Sequence, residues 1–131
     1  METDDHMRAH NPKQLPVTPA NVNSEIWRFI QRCDEVIIEI YKAGDEYATS
    51  RAEYDDRHAR EILNQQEGTV QEKKAQADIN CHSEYKRFLS AEVRYKYLKT
   101  ILDTTREQLG ACQSIGANLR EEWQINKQHK P

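Results

Sequence analysis

From Ser83 to Asn126 the residues Phe88, Ala91, Tyr95, Leu98, Leu102, Thr105, Leu109, Cys112, Gly116, Leu119 and Trp123 alternate at spacings of three and four. That is an a/d seam, which turns one side of a long helix toward partner helices. The segment contains no Pro and is rich in Leu, Glu, Lys, Arg and Ala, residues that lose little rotamer freedom in a helix. Upstream, Ile26, Ile30, Cys33, Ile37, Ile40, Gly44 and Tyr47 repeat the rhythm, with Phe29, Val36 and Tyr41 widening the stripe. Beyond Tyr47 it thins to Tyr54, Ala59, Ile62 and Leu63. Asn23 or Ser24 can cap the start of this helix, with Glu25 suited to its positive end. The polar run Asn64–Lys74 holds Gly68, the stop signal between the two patterns. Asn80–Ser83 either kinks the second helix or starts a separate segment.

The pattern predicts an all-α chain: a long antiparallel helical hairpin, coiled-coil-like, with helices over about 24–66 and 71–127 and a turn at 67–70. Residues 1–22, with Pro12, Pro16 and Pro19, form a flexible N-terminal arm, disordered or extended. Residues 23–131 form one helical domain. The seam of the second helix exceeds what the thinning first helix can cover, so the chain is expected to self-associate. The two glycines of Gly110–Gly116 each cost about 1 kcal/mol in a helix relative to Ala, a loss that close helix–helix packing offsets. Gly44 and Gly116 both fall on the seam.

Composition sharpens this picture. With 31% charged residues, four Gly and four Pro, the chain favours long helices over a compact α/β domain. A net charge of −3 argues against a general DNA-coating protein. Cys33, Cys81 and Cys112 are odd in number and lack a CxxC pair, as reduced thiols of a cytoplasmic protein would. No apolar run approaches a membrane span, and nothing resembles a signal peptide.

Candidate chemistry is sparse. Asp55 and His58 could share one metal, but a di-metal bundle needs that motif twice with two further carboxylates, and His82 and Glu84 have the wrong spacing. Cys81 and His82 are adjacent, which on a helix points them apart, so no activated nucleophile is expected. No enzyme activity, metal or cofactor is predicted. Tyr85–Lys99 holds Lys86, Arg87, Arg94, Lys96 and Lys99 against Glu92 alone, interleaved with Tyr85, Phe88, Tyr95 and Tyr97. Cations can neutralise phosphates while aromatic faces stack on unpaired bases. Phe88 and Tyr95 belong to the seam, leaving Lys86, Arg87, Arg94, Lys96, Tyr97 and Lys99 as the candidate nucleic-acid residues. The other reading of these positions is a solvated basic face beside a buried stripe.

The run Ser83–Lys99, followed by Leu102, Leu109–Cys112 and Ser114–Arg120, is similar to small helical phage proteins, the UvsY-like recombination mediators. The likeness lies mainly in the C-terminal half. It implies a cytoplasmic, oligomeric accessory protein that binds single-stranded DNA and assists recombinase loading, with a recombinase or single-strand-binding protein as further partner. Basic residues stand around the small-residue segment in that family. Here Gln113, Ser114 and Ile115 take their place, and Glu121-Glu122 follow Arg120. The alternative is a non-enzymatic helical module that binds protein alone, such as an inhibitor or adaptor.

Overall fold

The computed structural model describes residues 17–128, and among them every regular element is a helix. Three are present: α1 (Pro19–Asn64), α2 (Val70–Asn80) and α3 (His82–Gln128). The first sixteen residues of the expected arm lie outside those described.

Helix α1 starts before the expected cap. The Thr18 hydroxyl accepts from the Asn21 N–H at 3.3 Å and its carbonyl from the Val22 N–H at 3.0 Å. Pro19 then takes the first helical position, where its missing N–H costs nothing and its fixed φ suits the turn. Residues 19–22 are therefore helix rather than arm, and Ser24 bonds back to the Ala20 carbonyl instead of capping. Gly68, with φ of 112°, closes the connection after α1, a conformation that side chains rarely adopt. Thr69 caps α2, accepting from the Glu72 N–H at 3.2 Å. At Asn80–Ser83 the helix expected over about 71–127 divides into α2 and α3, with Cys81 between them at φ −103° and ψ 16°. The Cys81 N–H still donates to Ala77 at 2.9 Å and the Tyr85 N–H to Cys81 at 3.0 Å, so hydrogen bonding runs on across the division. Ala77 and Cys81, one turn apart, are both wholly buried.

The chain packs as two compact units, where the sequence reading has one domain. Residues 33–104 make one, and among the described residues 17–32 with 105–128 make the other. Helices α1 and α3 contribute to both. In the first unit the pairs Arg94–Glu39, Tyr47–Glu92, Arg87–Glu46 and Arg57–Glu84 set α1 antiparallel to α3. Its seam residues Ala91 and Leu102 are buried, and Phe88, Tyr95 and Leu98 half-buried. Facing them are Cys33, Ala43 and Ser50, all buried, with Val36, Ile40, Tyr47 and Tyr54 half-buried. Two helices meet over a narrow strip, so small side chains fill the centre and large ones flank it. In the second unit Thr105 and Gly116 are buried, and Leu109, Cys112 and Leu119 half-buried. A Cβ on Gly116 would stand 3.2 Å from Val22 Cγ1, the close approach expected of that glycine.

Several expected stripe members face solvent instead. Trp123 is 63% exposed, and Tyr41, Ala59 and Leu63 are exposed as well. On α1 the inward line after Tyr47 passes through Ser50, Tyr54, His58, Glu61 and Gln65, so it turns polar rather than ending.

Candidate functional site

The outward side of α3 within residues 33–104 is the most distinctive surface of that unit. Helical geometry places residues at spacings of three and four on one line. Lys86, Leu89, Val93 and Tyr97 share such a line, opposite the Phe88–Ala91–Tyr95 seam. Val93 is 66% exposed and Tyr97 64%, and Leu89, Val93 and Tyr97 line one shallow groove with Ser90 and Arg94 at its edge. Thr100 and Thr104 extend the line, so it carries no charge from Leu89 to Thr104 in a chain where 31% of residues are charged.

The six candidate nucleic-acid residues do not all meet on this line. Arg87 faces α1 and donates to Glu46 at 3.0 Å and Glu53 at 2.8 Å. Arg94 donates to Glu39 at 3.1 Å, and Lys96 to Glu92 at 3.3 Å on its own helix. Lys99 sits over the Tyr95 ring, 5.1 Å from its centroid. Lys86 has no ion-pair partner among the described residues, and Tyr97 projects into solvent beside Val93. Exposed ion pairs contribute only about 0.2–1 kcal/mol each. They nonetheless give three of the five cations a carboxylate before any ligand arrives, and the carboxylates on α1 make that flank locally neutral.

The aromatic side chains divide likewise. Phe88 lies parallel to Tyr54 at 6.0 Å and stacks on Tyr47 at 5.8 Å, and Tyr85 meets Tyr54 at 5.3 Å. Tyr95 packs on Tyr47 at 5.7 Å. The Tyr47 hydroxyl donates to Glu92 at 3.0 Å, and this bond first, then Lys96, holds the Glu92 carboxyl below its ordinary value. Of the aromatics in Tyr85–Lys99, Tyr97 alone stands apart from the inner cluster.

A second constellation lies where α2 meets α1. His58 pairs with Asp78 at 2.7 Å, not with Asp55, which stands 3.9 Å from Arg51. Gln65 donates to the Lys73 carbonyl at 2.8 Å, and Asn80 to Glu61 at 2.9 Å. Arg57 pairs with Glu84, whose carboxyl is lowered by its own backbone N–H, then by Ser83 and Arg57. Burial pushes the Cys81 thiol up, the reverse of what an activated nucleophile needs. Among the described residues no three His, Cys, Asp or Glu side chains group as metal ligands would, and no helix is long and apolar enough to cross a membrane. These polar contacts dock α2, and beside them Tyr54, Asp78, His82 and Tyr85 line a small cleft.

Sequence reasoning missed the outward line of α3, although Leu89, Val93 and Tyr97 are spaced four apart and could have signalled a second stripe. It also missed Glu39, Glu46 and Glu53, whose spacing of seven matches that of Arg87 and Arg94. No family model, no curated protein and no solved structure matches this chain.

Proposed function

We propose that this chain is a non-enzymatic helical protein–protein interaction module: an antiparallel, coiled-coil-like hairpin that self-associates through the outward line of α3. The observation that carries this reading is the exposed, uncharged stripe of Leu89, Val93 and Tyr97 on the side of α3 away from its seam. Packing energetics support it. The buried side chains of residues 33–104 are small, chiefly Ala43, Ala77, Ala91, Ser50, Cys33 and Cys81, with Leu102 the one large exception. Burial stabilises in proportion to apolar area, at about 25 cal/mol per Å². A core of small residues gains little this way, and a second interface on α3 adds to it.

Sedimentation velocity at micromolar concentration tests the reading. The parent chain is expected to sediment as more than one chain per particle, and Val93→Asp/Tyr97→Asp as a single chain with unchanged helicity. A parent that sediments as a single chain overturns it.

The second reading is the one the phage-mediator resemblance implies: a cytoplasmic accessory protein that binds single-stranded DNA and assists recombinase loading. The unpaired Lys86 and the exposed Tyr97 on one line favour it, with Lys96, Lys99, Arg94 and Arg87 able to exchange weak surface partners for phosphates. Binding to labelled oligo-dT at two salt concentrations tests it. Phosphate-driven affinity must fall steeply with salt, with a slope of roughly 0.7 per contact for single strands. Absence of binding at low salt removes this reading.

A further inference from the structure

On the α1 side of the same unit stands a second outward line. Ile38 is 56% exposed and Tyr41 78%, the latter among the most exposed large side chains described. Asp34, Glu35 and Asp45 surround them on the outward side, and none has an ion-pair partner among the described residues. Lys42 lies nearby but is engaged by Glu39 at 3.6 Å. The two lines are matched in kind. Each presents two or three apolar groups, one basic at its edge and the other acidic. They are matched in length too. Lys86 to Tyr97 and Asp34 to Asp45 each span eleven residue steps, about 16 Å of helix.

Resting on the self-association reading above, we infer that the occupant of the outward line of α3 is a second copy of this chain, which presents the outward line of its α1. Charge selects this pairing over the two symmetric ones. Placing α3 against α3 in parallel brings Lys86 toward Lys86 or Lys96 of the other copy, and in antiparallel it offers Lys86 only Asp103, where the α1 line offers three unpaired carboxylates. Placing α1 against α1 brings Asp34, Glu35 and Asp45 together. Like charges across an interface oppose the wrong partner more than opposite charges strengthen the right one. With α3 against α1, Lys86 meets Asp34 and Glu35 in one docking direction and Asp45 in the other, while Leu89, Val93 and Tyr97 cover Ile38 and Tyr41. Such a contact is heterologous: every copy keeps one free face of each kind, so assembly continues until it closes into a ring or extends as a filament.

Two variants and their mixture test this. Val93→Asp/Tyr97→Asp destroys the α3 line and leaves the α1 line. Ile38→Asp/Tyr41→Asp does the reverse. All four positions face solvent, so circular dichroism should match the parent. In sedimentation velocity each variant alone is expected to run as a single chain, its self-association weakened on the order of tenfold or more. Mixed in equal amounts, the two should form a two-chain particle and go no further, since each supplies the one intact face the other lacks. If Ile38→Asp/Tyr41→Asp keeps the parent's mass, the α1 partner face is wrong while the α3 reading stands. If the parent itself runs as a single chain, both fail. Should either double variant lose helicity, Lys86→Glu mixed with Asp34→Lys/Asp45→Lys provides complementation by charge at both contacts, so mass should rise on mixing, and no gain of mass overturns the inference.

Discussion

Gly110 and Gly116 stand six residues apart on one helix, and substitution at the two should act with opposite sign. Around Gly110 no side chain lies within 4 Å of where a Cβ would be. Gly110→Ala therefore gains the helix-propensity difference, about 1 kcal/mol, with nothing to displace. At Gly116 the added Cβ meets Val22 Cγ1 at 3.2 Å and Ile26 Cδ1 at 3.8 Å. Val22 is buried and β-branched, so its χ1 has little room to yield. Gly116→Leu places three further carbons in that space, an overpacking cost of about 1–3 kcal/mol. Subtracting the propensity gain of about 1 leaves a net loss of about 0–2, so the two variants should lie about 1–3 kcal/mol apart. Thermal melts followed by circular dichroism read the order directly, and at this chain length that gap is worth several degrees. Val22→Ala in the Gly116→Leu background should recover part of the loss, because it empties the space the leucine needs. A Gly116→Leu chain that melts as high as Gly110→Ala, or one that Val22→Ala only worsens, would refute the argument.

Three further outcomes follow from the polar contacts. The folded state holds the Glu92 carboxyl below its unfolded value, so its stabilising effect is present above the unfolded pKa and is lost as pH falls through the folded one. Glu92→Gln should flatten the acid limb of stability measured by urea melts between neutral and acidic pH, and an unchanged limb would discount the Tyr47 bond. Gln65→Ala removes the donor to the Lys73 carbonyl and should cost about 1 kcal/mol, read as faster amide exchange confined to α2, whereas uniform acceleration along the chain would mean that α2 is not separately docked. Cys81 is wholly buried with its thiol pushed up, so a disulfide reagent should label the half-buried Cys112 in the folded chain and Cys81 after unfolding. Equal labelling rates would contradict that burial.

The seam from Phe88 to Leu119 was legible because apolar side chains at three-and-four spacing must turn inward on any helix. The small-residue approach at Gly116 followed from the glycine's place on that seam. Three features were not read. The helix start at Thr18-Pro19 was hidden by treating Pro19 as part of an extended arm, although Pro is well suited to the first helical position. The inward line through Ser50, Tyr54 and His58 is polar, so hydrophobic periodicity alone cannot trace it. Trp123 keeps the phase of the seam but is exposed, since spacing shows which way a side chain points and not whether another helix covers it. The ion pairs of Arg87 and Arg94 were hidden for a different reason, since their partners Glu39, Glu46 and Glu53 lie more than thirty residues earlier.

Those carboxylates raise the question of what fixes the pairing of α1 with α3 in residues 33–104. Glu39, Glu46 and Glu53 repeat every seven residues, and so do Arg87 and Arg94. Sliding one helix by a heptad exchanges Glu46 for Glu39 or Glu53 and leaves opposite charges facing each other, so the ladder cannot by itself choose among such registers. Gly44 can. A Cβ there would lie 3.2 Å from Cε2 of Tyr95, so the ring packs more closely on the Gly44 backbone than it could on a side chain without giving way by a few tenths of an ångström. One heptad away the ring would meet Ile37 or Arg51 instead. Gly44→Val should consequently cost about 1–3 kcal/mol through overpacking, offset by less than about 1 from helix propensity, and should alter the near-ultraviolet dichroism of the Tyr47–Tyr95 pair. Arg94→Ala removes one exposed pair and should cost about 0.2–1 kcal/mol with that dichroism unchanged. If Arg94→Ala destabilises more than Gly44→Val in urea melts, the charges hold the register and the glycine is incidental.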